Sequence, residues 1–284
     1  AAMKDRVQAP GGSVANTLAG IGNLGLTTAF IGRVHDDALG RFYASSMAAG
    51  GTDFVNAPEA GGELPTSRSM IFVAPDGERS MNTYLGISSE LGPDDVSDDV
   101  AGQAAVLFLE GYLYEKPKGK AAFERAAKLC QAAGGQAGIA LSDPFCVDRH
   151  RSDFRRLVKD LDYVIGNEHE WSSLYQTDLD AALEQAAQDA GLVVCTRSGD
   201  EVIVISGADR AVVPVRRVVP VDATGAGDCF AGNLLAQLSS GHTLWDATAY
   251  ANAAAALSVQ GIGAVSPLPR RDAVLELLNK GTQT

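Results

Sequence analysis

Positive charge is what this chain has least of: 23 Lys and Arg stand against 35 Asp and Glu, a formal charge of −12. A field of that sign repels phosphate backbones, which argues against nucleic acid as a partner and requires any bound polyanion to meet a helix terminus, a local cation or a metal. Cysteine is scarce as well. Cys130, Cys146, Cys195 and Cys229 lie sixteen or more positions apart with no Cys-x-x-Cys pair, so neither a zinc ribbon nor a disulfide framework is indicated, and reduced thiols in a cytoplasmic protein are expected. Long hydrophobic runs are missing; charge interrupts each apolar stretch within about ten residues, too soon for a membrane span. Glycine and proline, 31 and 11 of 284 residues, fall short of a low-complexity chain, while 46% hydrophobic residues supply a substantial core. With no internal repeat and no dividing linker, one domain over residues 1–284 is expected.

What is present alternates. Apolar runs at Thr28–Ile31, Val106–Leu109, Gly138–Leu141, Tyr163–Ile165, Leu192–Cys195 and Val202–Ile205 read as strands. Helical spacing occupies Ser13–Leu24, Ala38–Ala49, Pro117–Ala133, Asp148–Lys159, Glu168–Tyr175 and Leu179–Ala190, and later Ala226–Leu238, Leu244–Val259 and Asp272–Leu278. That order predicts right-handed crossovers onto a mainly parallel sheet, an α/β fold of three layers. One stretch breaks the rhythm. Ser69–Ala74 and Arg79–Tyr84, joined by Pro75-Asp76-Gly77-Glu78, read as a hairpin within residues 67–84 that joins a small sheet and covers the strand ends as a lid. The acidic cluster Asp94, Asp95, Asp98 and Asp99 reads as a solvated helix start rather than a metal site.

Gly20-Ile21-Gly22-Asn23-Leu24-Gly25 fits G-x-G-x-x-G, but it follows a helix and precedes a strand, the reverse of the dinucleotide order, so helix termination accounts for it. No Walker-type loop occurs. The informative segment is Asp222-Ala223-Thr224-Gly225-Ala226-Gly227-Asp228, small residues running straight into an amphipathic helix. Backbone N–H groups at 225–227 can converge there unobstructed, and the positive helix end favours an anion. A carboxylate at Asp228, beside such a cradle, suits a base that takes a proton from an attacking hydroxyl; the alternative is a helix cap.

This segment resembles D-T-x-G-A-G-D, the signature of the ribokinase-type, or phosphofructokinase-B, carbohydrate kinases, with Ala in place of Thr at its second position. Gly11-Gly12-Ser13-Val14-Ala15-Asn16 is similar to the family's G-G-x-x-x-N, about 210 residues upstream, and Asn167-Glu168-His169-Glu170 matches its N-x-x-E. The resemblance runs from Pro10 to about Pro269. It implies a ribokinase-like α/β/α core and an ATP-dependent kinase in which Asp228 is the base and Gly225, Ala226 and Gly227 form the anion hole. It further implies substrate contacts from Gly11, Gly12, Asn16 and Glu110, and from Arg79 and Asn82 of the lid. Asn167, Thr196 and Asn252 correspond to nucleotide-side positions, Glu170 to a water-mediated Mg2+ contact, and Asp222 with Thr224 to a monovalent-cation site suited to K+. Lids of the family pair between subunits or stand alone, leaving monomer and homodimer open.

Two departures matter. The family begins with a strand, about forty residues before G-G-x-x-x-N, that ends in a substrate-binding aspartate, and Met3–Ala9 are too few to supply it; either a longer polypeptide carries it or that ligand is lacking. Ser198 and Glu201 replace glycines of the family's T-x-G-x-x-G in Thr196-Arg197-Ser198-Gly199-Asp200-Glu201. Gly11–Asn16, Glu110-Gly111-Tyr112-Leu113 and Leu141-Ser142-Asp143-Pro144-Phe145 look more like adenosine kinases and their sugar-kinase relatives than like ribokinases. The expected acceptor is therefore a primary hydroxyl of a ribose nucleoside or small sugar. Fructose and 2-keto-3-deoxygluconate are the alternatives, and a catalytically silent nucleoside- or sugar-binding protein is the alternative of another class.

Overall fold

The computed structural model describes residues 7–73, 79–266 and 268–279. The chain opens with α1 (Ser13–Gly22), β1 (Thr28–Phe30), α2 (Ala38–Ala49) and β2 (Thr52–Phe54), followed by a hairpin of β3 (Arg68–Val73) and β4 (Arg79–Tyr84). Next come α3 (Asp98–Gln103), β5 (Val106–Glu110), α4 (Pro117–Ala132), β6 (Gln136–Ala140), α5 (Pro144–Arg149), α6 (Arg151–Leu157), β7 (Tyr163–Asn167), α7 (Glu168–Tyr175), α8 (Leu179–Asp189), β8 (Leu192–Thr196), β9 (Val202–Ser206) and β10 (Asp209–Val213). Three helices close the chain: α9 (Ala226–Ser239), α10 (Leu244–Ser258) and α11 (Arg271–Asn279).

Six strands form one sheet in the order β10-β9-β8-β7-β6-β5. β5 to β8 run parallel; β9 returns antiparallel to β8, and β10 pairs antiparallel with β9 at the edge. The strand period of two sends neighbouring side chains to opposite layers. Val164 and Val193 pack with Trp171, Phe154 and Leu183 on one side, whereas Ile165 and Val194 meet Phe230, Leu234 and Ala251 of α9 and α10 on the other. The expected three-layer, mainly parallel α/β architecture is thus the observed one.

Several local expectations need correction. Thr28–Ile31 was expected among the strands of the main sheet, but β1 pairs in parallel with β2, Thr28 opposite Thr52, in a separate two-stranded sheet. β2 is only three residues long, too short to show a period. β10 also escaped the sequence pattern, because exposed Asp209 and Arg210 blur its alternation, although Gly207 at φ 57° marks the tight turn before it. The expected helix over Asp148–Lys159 is broken: Asp143 caps α5 through the N–H groups of Phe145 and Cys146, and the chain bends at His150 before α6. The hairpin forms, but β3 and β4 pair only with each other among the described residues instead of joining a larger sheet. Its turn, 75–78, lies outside the described residues. Neighbours Met70 and Ile71 are both about half exposed, so neither face of the hairpin rests on the core. In the acidic cluster, Asp95 accepts the Gly92 N–H and faces Arg33 at 3.5 Å, while Asp98 pairs with Arg125 at 2.5 Å. No helix among the described residues is long and apolar enough to cross a membrane.

The edge strand β5 carries Glu110 at its C-terminal end and is held by a tie that skips a strand. The ring of Tyr163 on β7 lies against Gly138 on β6, where a Cβ would come within 2.2 Å of the ring, and its hydroxyl donates to the Leu107 carbonyl of β5 at 2.7 Å. Tyr163 is buried and the bond partly shielded from solvent, so the carbonyl is poorly placed to find a substitute donor. Tyr163→Phe is expected to lower stability by about 1–2 kcal/mol in chemical denaturation with an unchanged m-value.

Candidate active site

The C-terminal ends of the four parallel strands stand in a row: Glu110 on β5, Ser142 just beyond β6, Asn167 on β7 and Thr196 on β8. Open α/β sheets bind ligands along this edge. Above it, α1 and α9 run against each other. Their backbones approach closely because Gly232 has no side chain; a Cβ there would lie 2.4 Å from the Thr17 carbonyl oxygen. Ser13 and Asn16, three positions apart and so on one helical face, thereby meet Asp228, one turn before Gly232. Ser13 Oγ donates to Asp228 Oδ1 at 2.5 Å and Asn16 Nδ2 donates to Oδ2 at 2.8 Å. Burial pushes the Asp228 carboxyl above its ordinary value, and these two donors pull against that shift.

Both helices begin here without a capping side chain. The first-turn N–H groups of an α-helix have no acceptor within the helix, so two positive ends converge where an acidic protein would otherwise repel a phosphate. Gly225, the N-cap of α9, sits at φ 75° with its would-be Cβ 2.6 Å from that of Ala264. At Gly227 a Cβ would meet nothing within 4 Å, leaving open space over the N–H groups. Ala226 between them opens the helix. Gly11 and Gly12 lie exposed ahead of α1, with Gly12 at φ 104°.

Asp222 lashes the cradle to the segment after α10. Its Oδ1 accepts the Thr224 N–H and hydroxyl at 2.9 and 2.6 Å, its Oδ2 accepts the Gly263 N–H at 2.9 Å, and the N–H groups of Val221 and Asp222 both donate to the Val259 carbonyl. Carboxylate, hydroxyl and carbonyl oxygens make an oxygen-only donor set, which fits a hard monovalent cation. Asn167 and Glu170 form a capping box on α7. Asn167 Oδ1 accepts the His169 and Glu170 N–H groups, and its own N–H and Nδ2 each donate to one Glu170 oxygen at 2.8 Å. Burial pushes the Glu170 carboxyl up to about 7 against the Asn167 N–H. Each oxygen retains a second lone pair, which fits an outer-sphere role toward Mg2+ through water. No group of three His, Cys, Asp or Glu arranged to hold a metal occurs among the described residues, so water and phosphate oxygens would complete that shell.

Glu110 is 6% exposed, and its Oε2 is buried with no hydrogen-bond partner. Its Oε1 accepts the Ser142 hydroxyl, whose oxygen also receives the Gly111 N–H at 2.8 Å. Burial pushes the Glu110 carboxyl up to about 7; the Ser13 and Ser142 hydroxyls oppose this, and the charges of Asp228 and Glu170 add to it. Thr196 stands beside Asn167 in the sheet. Asn252 is buried on α10, its amide turned to the carbonyls of Val213 and Pro214. Asn82 is exposed on β4 opposite Met70, and Arg79 pairs through its backbone with Val73, its side chain lying outside the description. The structure therefore brings together α1, the cradle, Asp228 and Glu110, whereas no hydrogen bond joins the lid residue Asn82 to them. Ser198 adopts φ 52°, the left-handed conformation natural to the glycine that the motif expects there.

Ser13 and Ser142 were absent from the residues singled out in the sequence. The helical spacing of Ser13 to Asn16 was a usable signal. For Ser142 the signal was only its place in the Leu141-Ser142-Asp143-Pro144-Phe145 block, since a non-glycine residue at φ 75° leaves no trace in composition.

The two cradle glycines are expected to separate by mechanism. Gly225→Ala combines a left-handed backbone with a clash and should lower the melting temperature along with activity. Gly227→Ala should fold with unchanged or slightly higher stability, alanine being the better helix former, yet lose most nucleotide-dependent activity. A thermal melt and a turnover assay distinguish the two. Glu110 gives a pH test. Between about 4.5 and about 7 the folded state holds a proton that the unfolded state has lost, so this group's contribution to stability falls as pH rises through that window. Glu110→Gln should thus raise the melting temperature at pH 8 and change it little at pH 4.5.

Comparison with known proteins agrees with this architecture. An adenosine kinase from Sinorhizobium meliloti superposes with a TM-score of 0.89 at 41% identity, over 98% of this chain and 85% of that one. A putative ribokinase II from E. coli, solved in complex with ATP and Mg2+, shares the fold at a TM-score of 0.89 and 20% identity, over 98% of this chain and 92% of that one. A fructokinase from Vibrio alginolyticus is 30% identical across 96% of this chain and 93% of its own length. The model of the pfkB family of carbohydrate kinases matches residues 2–271. Together with the ribokinase-like fold, that match places the chain in the pfkB family, as a sugar or nucleoside kinase.

Proposed function

We propose that this protein transfers the γ-phosphoryl group of ATP to a primary hydroxyl of a ribose nucleoside of the adenosine type, with Asp228 as the base. The observation that carries this reading is the Asp228 carboxylate, fixed by Ser13 and Asn16 beside an uncapped, glycine-lined helix N-terminus. The 41% identity to the S. meliloti adenosine kinase supports the choice of acceptor. In the step, the acceptor oxygen forms its bond to phosphorus as the bond to ADP breaks, ADP departs with that electron pair, and the hydroxyl proton passes to Asp228. Gly225, Ala226 and Gly227 direct N–H groups at the oxygens of the group in flight. Glu110 and the glycines ahead of α1 line the acceptor side, the motif resemblance assigns Arg79 and Asn82 of the hairpin to the same acceptor, and Asn167, Thr196 and Asn252 flank the nucleotide. Glu170 would hold Mg2+ through water, which would supply neutralising charge to the phosphates, and Asp222 with Thr224 would hold K+ beside the cradle. Fructose stays a second candidate acceptor because the Vibrio relative is a fructokinase.

ATP consumption with Mg2+ and K+ over adenosine, other nucleosides, ribose, fructose and 2-keto-3-deoxygluconate tests both class and acceptor. Turnover is expected to be fastest with adenosine and to fall about 10²–10⁴-fold in Asp228→Asn, which cannot take the proton. Because Asp228 acts ionised and burial raises its carboxyl, kcat/KM should decline toward acid pH, beginning above the ordinary carboxylate range. Ligand binding without any turnover would favour the silent binding protein.

A further inference from the structure

Resting on the kinase reading, we infer that Ser13 is a positioning residue of the transfer step, whose hydroxyl fixes the rotamer of Asp228. The motif resemblance assigns the glycines and Asn16 of this block but gives Ser13 no role.

A carboxylate at a helix start has freedom about two torsions, and only some of its orientations aim a lone pair at an acceptor hydroxyl. Here one donor holds each oxygen: Ser13 on Oδ1 at 2.5 Å and Asn16 on Oδ2 at 2.8 Å. One lone pair per oxygen remains for the incoming proton. Ser13 has a single proton, and it is spent on Asp228, so the serine oxygen is left as an acceptor. Glu110 carries a buried Oε2 with no hydrogen-bond partner, and its other oxygen accepts the Ser142 hydroxyl. The titratable groups that face Asp228 are Glu110 and Tyr112 from β5 and the turn after it, and Cys229 on its own helix. α1 brings hydroxyl and amide alone.

The test compares wild type, Ser13→Thr, which keeps the hydroxyl, and Ser13→Val, its shape mimic without one, in steady-state turnover across pH. Ser13→Ala is carried alongside, and melting temperatures check folding. The expected result is a roughly 10–100-fold fall in kcat for Val and Ala with KM changed less than threefold. The acid limb of kcat/KM should move to higher pH, because a donor favouring the charged form of Asp228 is gone, and Thr should recover most of both. An unchanged kcat and acid limb in folded Ser13→Val or Ser13→Ala would overturn the inference, as would a rise confined to KM, which marks a substrate contact. Those outcomes leave the kinase reading standing. Absence of turnover in the wild type with every acceptor would remove that reading, and this inference with it.

Discussion

The contact on which the site depends is a carboxylate shared by two helix starts: Asp228 at the head of α9, gripped by Ser13 and Asn16 at the head of α1. Neither helix can move without breaking it, and a charged group left half-buried without these donors would cost several kcal/mol. Packing answers to the same requirement. Gly232 lets the Thr17 carbonyl approach, and at the next position the amide of Asn233 bonds within α9 close to Gly20. The small residues of the α1–α9 seam thus serve to place three polar side chains.

The second constraint is electrostatic. Asp228, Glu110 and Glu170 all sit in or near one crevice of a chain that already carries a formal charge of −12. Three ionised carboxylates there would repel one another and any phosphate. The structure manages this by burying Glu110 and Glu170 so that protonation is favoured up to about pH 7, and by leaving the starts of α1 and α9 uncapped. Several other helix starts are closed by side chains, as by Asp37 on α2, Asp178 on α8 and Thr243 on α10, while α4 and α6 are uncapped away from this crevice. Backbone dipoles take the place of the lysines and arginines that the composition lacks.

The legible part of this design was set by periodicity and by loop chemistry. Strands β5 to β9 carry apolar runs that no other local structure would use, and the small residues at 222–228 announce a cradle through what they leave out. The pairing of β1 with β2 was illegible because three-residue strands have no period, and the His150 break because it depends on Asp143 starting α5 early. At the site, Asp228 and Asn16 could each be read from a motif, but the bonds that join Ser13 and Asn16 to Asp228 could not, since they are a tertiary contact between chain segments more than 200 residues apart. The loop at Thr196 shows the opposite error: Ser198 looked like a departure from the motif, yet it holds the left-handed turn, so the substitution keeps the shape at a cost of about 1 kcal/mol in strain.

The span of the Ser13–Asp228 bond, 215 residues, bears on how the molecule is made. During synthesis α1 emerges well before α9 and must wait, its polar face unanswered, until the head of α9 has left the ribosome. The sheet cannot finish packing before then either, because Ile165 and Val194 bury against Phe230 and Leu234 of α9 and Ala251 of α10. Core completion and catalytic competence thus arrive together, and a chain stopped before residue 228 lacks both the base and the layer that covers the sheet.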